Sequence, residues 1–177
     1  MKSSDKGFTL IEVLISITIM ALASGAAGAA IFQILRNTER NSDHMNAVRQ
    51  VENAGYWISR DAEMSSSANA TGILTPPNFL VLNWTEWDAS GNPTSNTARY
   101  FFENLTNGIG TLKRNHWNTA GTNEYTLIAQ EIYYNPGDPA NTSNASFQDS
   151  LLTVKLTSRI EQAFESKEYK VIGRPKY

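Results

Sequence analysis

Residues Phe8 to Leu35 form an apolar run in which Glu12 is the only ionisable side chain. A run of that length is enough to cross a bilayer as a helix, since about 20 residues suffice. A carboxylate inside it is costly, roughly 2.5 to 3.5 kcal/mol on insertion scales near the bilayer centre, so it requires a partner. The chemistry open to Glu12 is therefore ion pairing in lipid. Lys2, Lys6 and the Gly7-Phe8 junction stand immediately before the run and mark where that partner is to be sought.

Elsewhere the reactive residue types do not converge. His44 and His116 are the two histidines; they lack metal-ligand spacing and read as surface side chains. The chain has no cysteine, which removes thiol catalysis, disulfides and thiolate metal sites together. It carries no nucleophile elbow and no phosphate-binding glycine loop. Asp138 with Asn135, Asn141 and Asn144 offers one carboxylate among neutral amides, a poor cage for a hard cation, so a solvated loop is expected there. No cofactor, no metal and no enzymatic activity are expected. The formal net charge of -2 and the scattered Lys and Arg leave no footprint for nucleic acid. Trp84, Trp87, Trp117, Tyr133 and Tyr134 form either a recognition surface or the filling between a sheet and a helix.

The stretch Gly7-Phe8-Thr9-Leu10-Ile11-Glu12-Val13-Leu14, behind a short leader with Lys2 and Lys6, resembles the amino-terminal signal of type IV pilins and of the pseudopilins of type II secretion and competence systems. The resemblance is close from Lys6 to about Ile17 and one of pattern beyond. It implies a leader, Met1 to Gly7, cut after Gly7 by a prepilin peptidase on the cytoplasmic face, and N-methylation of the new terminus at Phe8. Glu12 then becomes the fifth mature residue, where the family's glutamate meets the positive amino terminus of a neighbouring subunit during fibre assembly. An α-amine with a reference pKa of about 8 is cationic at neutral pH and neutralises a carboxylate that lipid would otherwise leave unpaired. Many major pilins have a proline further along this helix, where Ala29 stands here, so any softening has to come from Gly25 and Gly28.

Two plainer readings compete. A secretory signal has an apolar core of roughly 7 to 15 residues before a small-residue cleavage site; this run is longer, although Ala21 to Ala30 imitates such a site. A plain signal anchor accommodates the length but gives Glu12 no task. Lys2 and Lys6 favour a cytoplasmic amino terminus, while Arg36 and Arg40 beyond the run oppose it, so orientation rests on the motif more than on charge.

Positioning these residues requires a long helix and a head. Between Leu35 and Met64 there is no proline, and Gly55 is the sole glycine, so the helix is expected to continue to about Ser65. Met45, Val48, Val51, Gly55, Ile58 and Ala62 recur at three- and four-residue steps and should share a buried face. In the first half, Ala21, Gly25 and Ala29, with Gly28 beside them, form a small-residue ridge that lets helices approach closely in lipid. After Ser65 the chain turns to short runs expected as strands: Phe79 to Trp84, Thr97 to Glu103, Thr111 to Trp117, Tyr125 to Tyr134, Leu151 to Ile160 and Glu168 to Ile172. Asp88 to Asn96 is expected as a hairpin loop and Asn135 to Ser146 as a longer one. Leu152, Val154, Leu156 and Ile160 alternate with Thr153, Lys155, Thr157 and Arg159, as in an antiparallel sheet with one face on a helix.

The expected fold class is α+β, a long amino-terminal helix packed on an antiparallel sheet, divided into a leader (1–7), a membrane and assembly helix (8–35), its amphipathic continuation (36–65) and a β-rich head (66–177). The size and order of the head resemble the minor pseudopilins of the J type. Because the family's large tip subunit typically lacks the glutamate, Glu12 argues for a subunit beneath another. The resemblance implies a fibre subunit of a type II secretion, type IV pilus or DNA-uptake machine, anchored in the bacterial inner membrane with its head outside the cytoplasm. Its partners would be other subunits, the prepilin peptidase and methyltransferase, the inner-membrane assembly platform and membrane lipid. The alternative is a single-pass anchored binding module that forms no fibre.

Overall fold

No proline interrupts the chain from Leu10 to Met64, and in the computed structural model, which describes residues 9–70 and 77–174, this stretch is one α-helix, α1 (Leu10–Met64). The expected leader, 1–7, and Phe8 lie outside the described residues. The molecule divides into two units, Met1–Asn41 and Ser42–Tyr177.

In the first unit α1 has a window with a mean hydropathy of 2.0, none of it buried within the protein. Leu10, Leu14, Ile17, Met20, Leu22 and Phe32 are all more than half exposed. Such a surface is stable in lipid and not in water. Two hydroxyls on it are turned inward, Ser16 Oγ donating to the Glu12 carbonyl at 2.7 Å and Thr18 Oγ1 to that of Leu14 at 2.9 Å. Back-bonding of this kind leaves these two hydroxyls without an unpaired donor in hydrocarbon.

In the second unit the sheet comprises β1 (Ser67–Asn69), β2 (Asn78–Trp87), β3 (Pro93–Thr106), β4 (Ile109–Asn118), β5 (Asn123–Tyr133), β6 (Asn144–Gln148), β7 (Leu151–Ile160) and β8 (Ala163–Ile172). All pairings are antiparallel and follow chain order from β1 to β5. β5 pairs β7 at Ile132 and Ser158, β6 pairs β7 further along, and β8 pairs it throughout. The sheet curls around the helix, and all six expected strands are present. β1 and β6 were not foreseen, since Ser-Ala-Asn and Asn-Ala-Ser-Phe-Gln carry no β-branched residue and become strands by pairing with β2 and β7. The expected loop from Asp88 to Asn96 is shorter, because Trp87 already pairs with Pro93. β3 and β4 join through Asn107 and Gly108, both at positive φ, the conformation a two-residue hairpin turn demands.

The core lies between the sheet and the face of α1 that carries Ala47, Val51, Ala54, Gly55, Ile58, Asp61 and Ala62. Met45, expected on this face, is 56% exposed. It lies two residues from Ala47, about 200° around the helix, and so points away from the sheet. Four of the face residues are Ala or Gly, which lets the sheet come close enough for Phe79, Leu82, Tyr100, Leu112, Ile132 and Leu156 to be fully buried. Phe79, Phe102 and Tyr134 form an aromatic cluster with Phe79–Phe102 and Phe102–Tyr134 centroids 5.4 and 4.6 Å apart. On β7 the expected alternation holds from Leu152 to Leu156, after which Thr157 and Ser158 are buried as well. The Ser158 hydroxyl donates to the Glu131 carbonyl at 2.9 Å, which satisfies it at the β5 junction.

Gly55 is required by a close approach. A Cβ there would stand 2.0 Å from Tyr169 Cζ, because the β8 tyrosine lies across the helix backbone and its hydroxyl donates to the Val51 carbonyl at 3.2 Å. Gly55→Ala is expected to cost about 1 to 3 kcal/mol through overpacking, against a helix-propensity gain of about 1 kcal/mol. In a Tyr169→Ala background the same change should be neutral or stabilising. Denaturant titration of the full chain in detergent reads both, and an equal cost in the two backgrounds would show that the ring is not the cause.

Candidate functional site

Thr9 precedes the first helical residue, and its side chain and backbone close a ring with Glu12. The Thr9 backbone N–H and its hydroxyl each donate to Glu12 Oε2 at 2.8 Å, and the Glu12 N–H returns toward Thr9 Oγ1 at 3.4 Å. This is a capping box, Thr-x-x-Glu, in which two of the helix's unpaired amino-terminal donors are satisfied reciprocally. The carboxylate also sits in the first turn, where the helix dipole favours negative charge. Both bonds fall on Oε2, and among the described residues Oε1 accepts none. Glu12 thus has a local structural task and an oxygen left for a further donor. The role of Thr9 was missed in the sequence, although the four-residue spacing was there to be read.

Of the expected packing ridge, Ala21, Gly25 and Ala29 are exposed and Gly28 is half-buried. A Cβ at Gly25 or Gly28 would meet nothing within 4 Å, so no contact inside the described chain requires either glycine.

The second unit holds a charge that sequence reading placed on no face. Asp61 is fully buried on α1, and Arg114 on β4 is 6% exposed. Arg114 Nε donates to Asp61 Oδ2 at 2.6 Å and Nη2 to Oδ1 at 3.0 Å, a side-on bidentate pair. The Tyr100 hydroxyl on β3 adds a bond to Oδ2 at 2.6 Å. Burial, reinforced by the Asp61 charge, holds the Tyr100 phenol well above its usual range, so it remains a donor. Burial disfavours the Arg114 cation, but the hydrogen bonds and charge of Asp61 outweigh it and raise Arg114 above its ordinary value. The guanidinium also lies 5.5 Å from the Trp57 ring centroid. The arrangement clamps the end of α1 to β3 and β4 and offers no group free to exchange a proton.

His116 is not the surface side chain expected. It stacks on Trp84 with centroids 5.4 Å apart and planes 4° from parallel, and its Nε2 lies 3.2 Å from Asn96 Oδ1. Burial, then the nearby Arg114 charge, holds its pKa below the usual histidine value, favouring the neutral ring. His44 remains exposed, with Nδ1 4.0 Å from Glu165. In the loop before β6 the Asp138 carboxylate accepts from Asn141 Nδ2 at 3.1 Å and from the Tyr133 hydroxyl at 3.2 Å. Among the described residues no three His, Asp or Glu side chains come together as a metal site. The aromatic residues divide: Trp84, Tyr133 and Tyr134 are buried, Trp117 is half-buried and Trp87 is 69% exposed.

An exposed apolar helix capped by Thr9 and Glu12, with a curled antiparallel sheet packed on its later part, is the pilin-like α+β fold. Residues 2–28 match the family described as the prokaryotic N-terminal methylation motif. No curated protein and no solved structure matches the chain. The motif is typical of type IV pilins and type II pseudopilins and implies processing by a prepilin peptidase. The chain is accordingly a prepilin-like protein, and its motif and hydrophobic helix point to membrane anchoring with an extracytoplasmic head. Proteins of this kind are in general structural and not enzymatic.

Proposed function

We propose that the chain is a minor pilin or pseudopilin precursor, a structural subunit of a type II secretion pseudopilus or a type IV pilus-like fibre. Cleavage falls between Gly7 and Phe8, and Phe8 is N-methylated. Residues 8–35 are the membrane and assembly helix, 36–65 its continuation into the head, and 66–177 the sheet that selects neighbours. The reading rests on one observation above all, a carboxylate at the start of an exposed apolar helix with one oxygen that has no partner among the described residues. The amino terminus of a neighbouring subunit supplies the missing charge, and Ala21, Gly25, Gly28 and Ala29 allow the helices to close on one another. Other subunits, the peptidase and an inner-membrane assembly platform are then its partners.

The capping box favours a second reading, because it gives Glu12 a use even in a single-pass anchor that forms no fibre. Mass spectrometry of the mature amino terminus separates part of this question. A first peptide beginning at N-methylated Phe8 is expected. An intact Met1, or a cut beyond the Ala-rich stretch, would rule out the proposed processing.

A further inference from the structure

On the sheet face turned away from α1, Arg99 on β3 and Asn115 on β4 stand directly opposite one another. Arg99 Nε and Asn115 Oδ1 are both sealed from solvent, and neither has a hydrogen-bond partner among the described residues. Asn115 as a whole is 6% exposed. A donor and an acceptor left unmade across one rung of a sheet is an unusual expense, about 1 to 3 kcal/mol for each group. The Arg99 guanidinium instead lies over two rings, 5.0 Å from the Phe101 centroid and 5.9 Å from that of Trp117, and no carboxylate among the described residues pairs with it. Arg99, Asn115 and Trp117, with Gly121, Thr122 and Asn123 of the β4–β5 turn, line a cavity of about 460 Å³. Beside it on β5, Tyr125 is 63% and Leu127 52% exposed.

We propose that this cavity is a docking site for an acidic segment of a partner protein, whose Asp or Glu carboxylate draws the Arg99 guanidinium off the Phe101 and Trp117 rings and so opens Asn115 Oδ1 to a backbone N–H of the same segment. Charge complementarity selects this occupant. An uncompensated guanidinium calls for an anion, and the opposed orphan acceptor calls for a donor on the same molecule; an acidic residue within a peptide carries both. A neutral sugar would stack on Trp117 and bond Asn115 but leave the charge of Arg99 unmatched. An inorganic anion would satisfy Arg99 and not Asn115. Arginine, tryptophan and tyrosine gathered on one exposed face are also the residue types that carry protein–protein binding energy. The site is on the head and does not depend on cleavage at Gly7 or on Glu12, so it stands or falls separately from the fibre reading.

The test uses the full ¹⁵N-labelled chain in detergent micelles, titrated with N-acetyl-Asp-Ala-amide, N-acetyl-Asn-Ala-amide, N-acetylglucosamine and inorganic phosphate as separate probes. The aspartyl peptide is expected to shift the Arg99 Nε–H, Asn115 side-chain and Trp117 indole resonances saturably, and to bind about tenfold or more tightly than the asparaginyl peptide. Arg99→Gln should abolish the response. Asn115→Asp places a carboxylate opposite Arg99 within the chain, so it should also abolish binding while raising the melting temperature, which excludes misfolding as the cause. No saturable shift, an equal response to the two peptides, or a response confined to the sugar or to phosphate would each overturn the proposal.

Discussion

Glu12→Gln is expected to leave the protein processed, inserted and folded, yet absent from any fibre. Glutamine at the third helical position can serve a capping box as glutamate does, so the Thr9 bonds survive in the variant. Insertion should be no worse, because removing a carboxylate from hydrocarbon relieves a cost of roughly 2.5 to 3.5 kcal/mol. What disappears is the charge. If the proposed pairing with a neighbour's α-amine operates, one partner of an ion pair in a low-dielectric setting is removed, and each subunit contact loses about 3 to 5 kcal/mol. That is a factor of a hundred or more in association, since about 1.4 kcal/mol is tenfold. Glu12→Ala removes capping and charge together and cannot tell the two tasks apart. The comparison is read by membrane fractionation and recovery of sheared or secreted fibres. Normal incorporation of the glutamine variant would reduce Glu12 to a helix cap and overturn the ion pair, whereas absence of the unaltered chain itself from every fibre would leave the anchored binding module as the better reading.

Asp61→Ala is expected to destabilise the head by about 3 to 5 kcal/mol, because it leaves the Arg114 charge buried without its carboxylate and strips the Tyr100 hydroxyl of its acceptor. Domains of this size have total stabilities of about 5 to 15 kcal/mol, so the variant should be substantially unfolded and proteolysed in cells. The pair itself is not expected to be a large net stabiliser. Replacing both members with apolar groups, Asp61→Leu with Arg114→Met, in a Tyr100→Phe background should recover most of the loss, since the desolvation cost of two charges disappears with them and no buried hydroxyl is left without an acceptor. Denaturant midpoints of the two single variants and the double variant, all in that background, form the cycle that measures this. A loss below about 1 kcal/mol in Asp61→Ala would mean that the clamp between α1 and the sheet contributes nothing.

These two acidic residues illustrate what a sequence can and cannot disclose. Glu12 stands out because its neighbours in the chain are all apolar, so its exceptional character is a local fact. Asp61 lies among Ser59, Arg60 and Glu63 and looks like part of a wet surface. It is buried because partners 39 and 53 residues away reach it across the fold. No window along the chain contains them together. His116 was misread for the same reason, its surroundings being set by Trp84 and Asn96 on other strands. Arg99 and Asn115 belong to ordinary alternating strands and become a pair only through the register of β3 and β4.

The sequence by itself determined the apolar helix, its one carboxylate, the resemblance to prepilins, the presence of six strands and, for most of β7, which face is buried and which is wet. Each depends on composition or on a period of 3.6 or 2 within a short window, where the cause is local. Only the tertiary structure decided that Asn144–Gln148 would be a strand, that Gly55 is needed because Tyr169 crosses the helix there, and that the buried face of α1 carries Asp61 and not Met45. Those outcomes depend on which surfaces meet. Edge hydrogen bonds, steric contact and desolvated charge acquire their energies only once distant parts of the chain have been brought together.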